Sequence, residues 1–177
     1  MNCTYRNLTI RNANAKDCSL LATWWNDGSV MAHAGFPYGL NTNCNKIENQ
    51  IANDSDETKR RLILERDNEP IGEMSFTVQQ KTIVEIGIKI CDVHEQNKGL
   101  GKLFLSMLIT ELYKNKKITK IILDTNLENK RAQHVYETLG FRKISTKYDS
   151  WTDQLGNKQS VVDYELLRDD FISFLKD

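Results

Sequence analysis

Residues 83–113 constrain the fold more than any other stretch of the chain. They begin with an apolar run rich in β-branched side chains, IVEIGIKIC, which is typical of a buried strand. A basic loop with two glycines, QNKGLGK, follows at 96–102, and apolar residues at helical spacing then continue to residue 113. This order predicts an anion-binding site, because the first N–H groups of a helix have no intrahelical partner and the helix dipole adds positive potential there.

The glycine loop differs from the two common nucleotide-binding motifs. A P-loop needs Ser or Thr where Leu103 stands, and the dinucleotide fingerprint needs a third glycine where Phe104 stands. A nucleotide-binding module is therefore disfavoured, and preferential binding of ATP would revive it.

The composition is that of an ordinary globular chain. The 177 residues are 27% charged and 40% hydrophobic, which is enough to build one core, so we expect a single domain over 1–177 with its core at about 8–168. Lys and Arg together number 24, as do Asp and Glu, so the formal net charge is zero. This balance argues against broad nucleic-acid binding and against a polybasic membrane contact.

The cysteine and histidine patterns indicate a reducing location without a metal site. The four cysteines show no C-x-x-C spacing, and the three histidines show no metal-ligand spacing. No signal-peptide segment or membrane-spanning run is evident. We therefore expect a cytoplasmic protein with reduced thiols and no bound metal.

Periodicity along the chain predicts an α+β fold. Helical patterns fall at about 17–26, 43–52, 100–113 and 130–139, and strand patterns at 8–11, 61–65, 71–78, 83–91, 121–124, 141–148 and 160–167. Segment 29–45 is too irregular for one element and too apolar for a linker, as in loops that wall a binding site. The central strand–helix–strand unit should be a right-handed parallel crossover.

A second motif carries the strongest resemblance to a known family. Residues 129–141, NKRAQHVYETLGF, resemble the N-x-R-A-x-x-x-Y-E-x-x-G-F pattern of the GNAT N-acetyltransferases. The loop QNKGLG resembles that superfamily's Q/R-x-x-G-x-G/A loop, which holds the pyrophosphate of acetyl-CoA. The resemblance spans roughly residues 8–168. It implies the GNAT fold, a mixed and mostly antiparallel sheet with splayed parallel central strands, flanked by helices.

The resemblance also implies an activity and a set of coenzyme contacts. The activity is direct transfer of the acetyl group of acetyl-CoA to a primary amine of a small molecule or peptide, through a ternary complex. The family's positions for coenzyme contacts fall on Ile88, Lys89, Ile90, Cys91, Gln96, Asn97, Lys98, Gly99, Leu100, Gly101, Lys102, Asn129 and Tyr136.

Two residues are candidates for proton transfer. Tyr136 matches the family tyrosine that protonates the departing thiolate; the alternative is an aromatic residue of the core. Glu85 is the candidate base, because some members of the superfamily carry a glutamate there that deprotonates the amine through water, and an amine of pKa ~10 needs a proton acceptor. The alternative is a carboxylate that only orients a neighbour. A backbone N–H near Ile90 would stabilise the oxyanion. Cys91 is expected to be a small buried residue rather than a nucleophile.

The resemblance also implies which segment selects the acceptor, because members of the family vary between the first strand and the hairpin. The candidate residues there are Trp24, Asp27, His33 and Phe36. Asp27 is a candidate partner for a cation, and Trp24, Trp25 or Phe36 for its carbon skeleton. Successive helix residues point about 100° apart, so one of the two tryptophans is expected in the core.

The acceptor itself stays open at this stage. The chain looks most like the branch with ribosomal-protein N-terminal acetyltransferases and aminoglycoside 6'-N-acetyltransferases. A peptide acceptor would need a groove with backbone hydrogen-bond partners. An aminoglycoside would need a wide acidic pocket, and the carboxylates available for one are Asp27, Asp124, Asp149 and Asp153. A non-catalytic acyl-CoA sensor on the same fold is the alternative function. Either a monomer or a homodimer is expected.

Overall fold

The chain folds around one eight-stranded sheet in a computed structural model that describes residues 1–176. Its strands lie in the order β1-β2-β3-β4-β5-β6-β8-β7. They are β1 (Asn2–Tyr5), β2 (Leu8–Asn12), β3 (Lys59–Arg66), β4 (Glu69–Gln79), β5 (Ile83–Ile90), β6 (Lys120–Asn126), β7 (Arg142–Thr152) and β8 (Lys158–Leu167). Only β5 and β6 pair in parallel among these strands, so the predicted mixed and mostly antiparallel sheet is confirmed.

Five α-helices flank the sheet within the described residues. They are α1 (Cys18–Asn26), α2 (Gly28–Met31), α3 (Cys44–Ala52), α4 (Leu100–Lys114) and α5 (Lys130–Thr138). In residues 1–176, no helix combines the length and the apolar character that a membrane crossing requires.

The sheet buries side chains on both faces. The larger core lies on the side of α4, where Phe104 and Leu108 pack against Val84, Ile86 and other strand residues. A smaller core lies on the opposite side, where α1 and α3 cover the sheet with Leu21, Ile47 and Ile51. The alternation along β3 explains this division, because Leu62 and Leu64 face the larger core and Ile63 faces the smaller one.

Two features of the N-terminal half differ from the sequence-based expectations. Strand β1 is not predicted, because its residues NCTY are mostly polar, and it forms a hairpin with β2 through a turn in which Arg6 has φ 56°. Segment 29–45 holds the short helix α2 and one turn of 3-10 helix, Ala32–Ala34, before α3 begins behind the Asn43 cap.

The cysteine prediction is wrong for one pair. Cys18 and Cys44 form a disulfide between the N-terminus of α1 and that of α3, with their Cα atoms 4.9 Å apart. Twenty-six positions separate them in sequence, so no short Cys spacing could reveal the pairing. Cys3 and Cys91 are free thiols. The bond therefore fixes the two helices that cover the smaller core.

Candidate active site

The two parallel strands separate soon after they begin to pair. Strand β5 pairs with β6 only where Ile83–Glu85 meet residues 120–122, whereas β5 continues along β4 as far as Ile90. Strand β6 continues along β8 instead. A cavity of about 1140 Å³ opens in the resulting gap. An elongated ligand can therefore enter between the two strands.

The far end of β5 presents an open edge to this cavity. Residues 86–90 have a strand partner on the β4 side only. Ile88, Lys89, Ile90 and Cys91 all line the cavity. The Lys89 ammonium, however, points to Glu73, with Nζ 3.4 Å from Oε1. The backbone of this edge can pair with an extended ligand in the manner of an added strand.

The glycine loop and α4 form the second wall. Gln96 ties the loop to β5, because its Nε2 donates to the Ile90 carbonyl at 3.0 Å. Gly99 precedes α4 with φ +76°, a left-handed conformation that favours glycine, and no side chain caps the helix. A Cβ built on Gly99 or Gly101 meets nothing within 4 Å. The first N–H groups of α4 are therefore accessible to an anion.

The predicted basic residues of the loop differ in what they contact. Lys102 lines the cavity, and its ammonium also lies 3.9 Å from the Phe174 ring centroid. Lys98 is not part of the cavity wall; its Nζ donates to Glu95 Oε1 at 2.9 Å. Arg131 lines the cavity from α5 and donates to Asn97 Oδ1 at 2.6 Å. Its guanidinium adds a positive charge that the candidate list omitted, although Arg131 lies within the recognised motif.

Asn129 and Tyr136 reach the cavity from α5. Asn129 caps the helix by accepting a hydrogen bond from the Ala132 N–H at 3.1 Å. Tyr136 is only 8% exposed, lines the cavity and makes no hydrogen bond through its hydroxyl within residues 1–176. Burial, and next the charge of Asp124, raise the pKa of Tyr136 to about 12. The hydroxyl therefore keeps its proton at neutral pH and can donate it.

Glu85 lies where the two strands separate. The side chain is half-buried, lines the cavity and accepts a hydrogen bond from Gln79 Nε2 at 2.5 Å. Asp124 lines the same cavity from β6. Partial burial, together with the charges of Glu85 and Asp163, raises the pKa of the Asp124 carboxyl.

The acceptor side of the cavity is walled by two segments distant in sequence. His33 and Phe36, both predicted acceptor residues, line it together with Trp151 and Gln154 of the β7–β8 hairpin. The Trp151 ring packs directly on Gly35. The sequence-based candidates did not include Trp151 and Gln154, because no local pattern indicates that the hairpin reaches this segment.

Gln154 holds the hairpin against the segment that follows α2. Its Oε1 accepts from the Tyr38 N–H at 2.9 Å, and its Nε2 donates to the Gly39 carbonyl at 3.0 Å. Its own N–H donates to the Gly35 carbonyl at 3.1 Å. Three hydrogen bonds thus close the acceptor side of the cavity at one point.

Two predicted acceptor residues are not brought to the cavity. Trp24 packs against the smaller core. Asp27 caps α2, where its Oδ1 accepts from the Ser29 N–H at 2.8 Å, and the Ser29 hydrogen bonds lower its pKa. The neighbouring Trp25 donates from Nε1 to Glu73 Oε2 at 2.8 Å. The carboxylates that line the cavity are instead Glu85, Asp124, Asp153 and Glu95.

Cys91 has the environment of a structural residue. It is buried, and burial raises the pKa of its thiol well above the ordinary value, with the charge of Glu73 as the next cause. A thiol in this state supplies little thiolate at neutral pH. The arrangement therefore favours transfer without an acetyl-cysteine step.

Known structures share this fold. The ribosomal L7/L12 alpha-N-protein acetyltransferase RimL, in complex with coenzyme A, superposes with a TM-score of 0.81 at 15% identity, covering 96% of this chain and 99% of the other. Spermidine N-acetyltransferase from Vibrio cholerae, with coenzyme A and spermine, superposes with a TM-score of 0.80 at 21% identity, covering 93% of this chain and 97% of the other. The aminoglycoside acetyltransferase AAC(6')-Ib, with ribostamycin and coenzyme A, superposes with a TM-score of 0.76 at 21% identity, covering 97% of this chain and 99% of the other.

Sequence comparison identifies the family. No curated protein sequence matches the chain. Residues 7–142 match the family profile described as an acetyltransferase (GNAT) domain, which covers well over half of the chain. Together with the separated parallel strands and the glycine loop, this match shows that the chain belongs to the GNAT acetyltransferase family, whose members use acetyl-CoA.

Proposed function

We propose that this GNAT acetyltransferase transfers the acetyl group of acetyl-CoA directly to a primary amine while both substrates are bound. The observation that carries the proposal is the convergence of three features on one cavity. They are the open β5 edge, the uncapped N-terminus of α4 and the Tyr136 hydroxyl without a hydrogen-bond partner within residues 1–176.

The cavity residues fit the two ends of the coenzyme. The α4 N–H groups lie beside open space at Gly99 and Gly101, and Lys102 and Arg131 add positive charge, so this end suits a diphosphate. The pantetheine arm, an extended chain with amide groups, suits the β5 edge and Asn129. The thioester would then lie near Ile90, between Glu85 and Tyr136.

The residues at this point can perform the three proton and charge steps of amide formation. Glu85 accepts the proton that the ammonium must lose, directly or through a water molecule. A backbone N–H near Ile90 stabilises the charge that develops on the carbonyl oxygen as nitrogen attacks. Tyr136 gives its proton to the sulfur as the C–S bond breaks, and its phenolate then takes up the second proton that the attacking nitrogen must lose. The products are an amide, the free thiol of coenzyme A and the proton on Glu85, which passes to solvent.

The test is thiol release from acetyl-CoA across a panel of amines, with mass spectrometry of the acetylated product. The panel holds N-terminal peptides, polyamines, aminoglycosides and free amino acids. Release with one class, together with its acetylated product, supports the proposal. Tight coenzyme A binding without turnover on any member would instead favour the acyl-CoA sensor.

Several sequence-based expectations stay predictions. These are the single domain over 1–177, the cytoplasmic location, the monomer or homodimer, and the lack of nucleic-acid and membrane partners. The Cys18–Cys44 disulfide bears on the predicted cytoplasmic location. Disulfides that occur in a reducing compartment are usually redox-responsive, so in the cytoplasm this bond is expected to open and close with redox conditions.

A further inference from the structure

We propose, on the basis of the coenzyme site proposed above, that Phe174 is a positioning residue for coenzyme binding and acts through Lys102. The Phe174 ring holds the Lys102 ammonium beside the N-terminus of α4, where the diphosphate of acetyl-CoA is expected. Phe174 belongs to the tail segment (residues 168–176), which lies beyond the family match at 7–142.

The tail segment runs along α4 in the opposite direction. The ring centroid of Phe171 lies 6.2 Å from that of Tyr113, near the C-terminal end of α4. Phe174 lies two turns nearer the start of the helix, where its N–H donates to Ser106 Oγ at 3.1 Å. Three residues of extended chain and seven residues of helix each span about 10 Å, so the two paths match in length.

Backbone hydrogen bonds hold the tail segment on both sides of Phe174. The Ile172 N–H donates to the Leu139 carbonyl at 3.0 Å, just after α5. The Lys176 N–H donates to the Tyr5 hydroxyl of β1, also at 3.0 Å. With the Phe174 bond to α4, alternate residues of the segment are therefore bonded to three different parts of the fold. The Phe174 ring thus has a defined position relative to α4.

Lys102 lies on the helix face that this ring covers. Lys102 and Ser106 are one turn apart, so they share a face of α4. The Lys102 Nζ lies 3.9 Å from the Phe174 ring centroid, well within the range of a cation–π contact. Lys102 forms no ion pair within residues 1–176, so the Phe174 ring is what orients its ammonium there.

The held ammonium is well placed for an anion at the start of α4. Lys102 is the third residue of the helix and lines the cavity. Helical side chains lean toward the N-terminus, so its charge adds to that of the first N–H groups. The ring contacts one side of the ammonium, and the remaining N–H donors can bind a phosphate oxygen.

Holding the ammonium in advance should strengthen coenzyme binding. A lysine side chain is flexible and loses rotamer entropy when a ligand orders it. The Phe174 ring orders the Lys102 side chain before the coenzyme arrives, so binding pays less of this entropy. Arg131 on the facing wall is held similarly, because its guanidinium donates to Asn97 Oδ1 at 2.6 Å.

The experiment measures the Kd for coenzyme A by calorimetry, without an acceptor. Phe174→Leu keeps an apolar side chain and removes the ring face, so the Kd should rise by about threefold to tenfold. Phe174→Tyr keeps the ring and should bind as the wild type does. Unchanged binding in Phe174→Leu would overturn the inference. Tighter binding would also overturn it, because the ring would then draw Lys102 away from the phosphates.

A double-mutant cycle tests whether Phe174 acts through Lys102. Lys102→Met removes the charge and keeps most of the side-chain length. In that background, Phe174→Leu should cause no further rise in the Kd for coenzyme A. Additive effects of the two substitutions would show that Phe174 acts by another route and would overturn the inference.

Phe171→Leu is the matched control for a loosened tail segment. Its ring packs on Tyr113, far from Lys102, so its loss should lower the free energy of unfolding in urea and leave the Kd unchanged. An equal rise in Kd for Phe171→Leu and Phe174→Leu would mean that general docking of the segment matters, against the role of the ring. Phe174→Met fills similar space without a ring and replaces Phe174→Leu if that variant does not fold.

These measurements separate the inference from the proposed function. Binding of coenzyme A needs no turnover, so an enzyme that transfers no acetyl group would still show the effect of Phe174. If Lys102→Met binds coenzyme A as tightly as the wild type, the charge of Lys102 does not contribute and the inference fails. Acetyl transfer to an amine could still be intact in that case.

Discussion

The amide of Gln79 donates a hydrogen bond of 2.5 Å to the carboxylate of Glu85 across the antiparallel pair β4–β5. This contact orients the carboxylate without neutralising it, since an amide carries no charge. Glu85 therefore forms no ion pair among the described residues, and its carboxylate charge faces the cavity that the amine is proposed to enter.

Replacement of Glu85 by Gln should slow acetylation of a protonated amine. General bases of this kind contribute about 10²–10⁴-fold, so we expect kcat/KM at neutral pH to fall by about 10²-fold or more. The loss should diminish at alkaline pH, where a larger fraction of the amine is already free. The measurement is thiol release as a function of pH. Glu69→Gln, at the exposed start of β4, is the control; an unchanged rate in Glu85→Gln would assign Glu85 a purely orienting role.

Replacement of Tyr136 by Phe should reduce kcat with little effect on stability. The hydroxyl has no hydrogen-bond partner to lose within residues 1–176. The ring keeps its packing, with its centroid 5.9 Å from that of Phe141 and 5.8 Å from that of Tyr164. We expect kcat to fall by about 10²-fold. Tyr164→Phe is the matched control, because its hydroxyl donates to Glu137 at 2.9 Å and its loss should affect stability instead. Wild-type kcat in Tyr136→Phe would rule out the acid role.

The raised pKa of Tyr136 also predicts the alkaline limit of stability. The folded protein holds the phenol proton up to about pH 12, whereas the unfolded chain releases it near 10. Between these values the unfolded state binds fewer protons, so its formation is favoured as the pH rises. Urea unfolding of the wild type above pH 10 should show a loss of stability that is smaller in Tyr136→Phe. Equal losses in the two proteins would contradict this assignment.

Replacement of Gly99 by Val should weaken coenzyme binding. Gly99 has φ +76° at the start of α4, a conformation that a β-branched residue rarely adopts, so the loop must shift. The KM for acetyl-CoA should rise about tenfold or more. Gly156→Val is the control, since Gly156 has φ +84° and equally open space but lies in the β7–β8 turn. Similar increases in both variants would show that the effect is not local to the coenzyme loop.

Local patterns predicted the elements that build the coenzyme side of the site. The strand at 83–91, the glycine loop and α4 occur together in sequence, so their pattern and their contacts coincide. The motif at 129–141 likewise placed Asn129 and Tyr136 on a helix that reaches the same cavity. Short-range periodicity was sufficient because each of these walls is one continuous segment.

The acceptor side depended on contacts that no local pattern carries. Trp151 and Gln154 reach Gly35 and Tyr38 from more than a hundred positions away. The helix that holds Trp24 and Trp25 is predictable from its periodicity, but the face that becomes covered depends on α3. The sequence therefore places Trp24 at the cavity, whereas in the structure it packs against the smaller core. The disulfide was missed for the same reason, since α1 and α3 meet only in the folded chain.

Replacement of Gln154 by Ala should loosen the acceptor side selectively. The side chain makes two of the three hydrogen bonds that join the hairpin to the segment after α2. Their loss should raise the KM for the amine several-fold and leave the affinity for coenzyme A unchanged, because the coenzyme loop is on another wall. Leu155→Ala, at an exposed neighbour, is the control. A change in coenzyme affinity would contradict the separation of the two sides.

Removal of the disulfide should lower stability without affecting the coenzyme loop. The bond closes a loop of 26 positions, for which the chain-entropy model gives a stabilisation of roughly 3–4 kcal/mol. The double variant Cys18→Ser with Cys44→Ser should therefore unfold at lower urea concentration than the oxidised wild type. A reductant should lower the urea midpoint of the wild type by the same amount. It should not change the midpoint of the double variant, which is therefore the control. If reductant shifts both proteins equally, the stabilisation does not come from this bond, and the covalent link between α1 and α3 does not contribute to the fold.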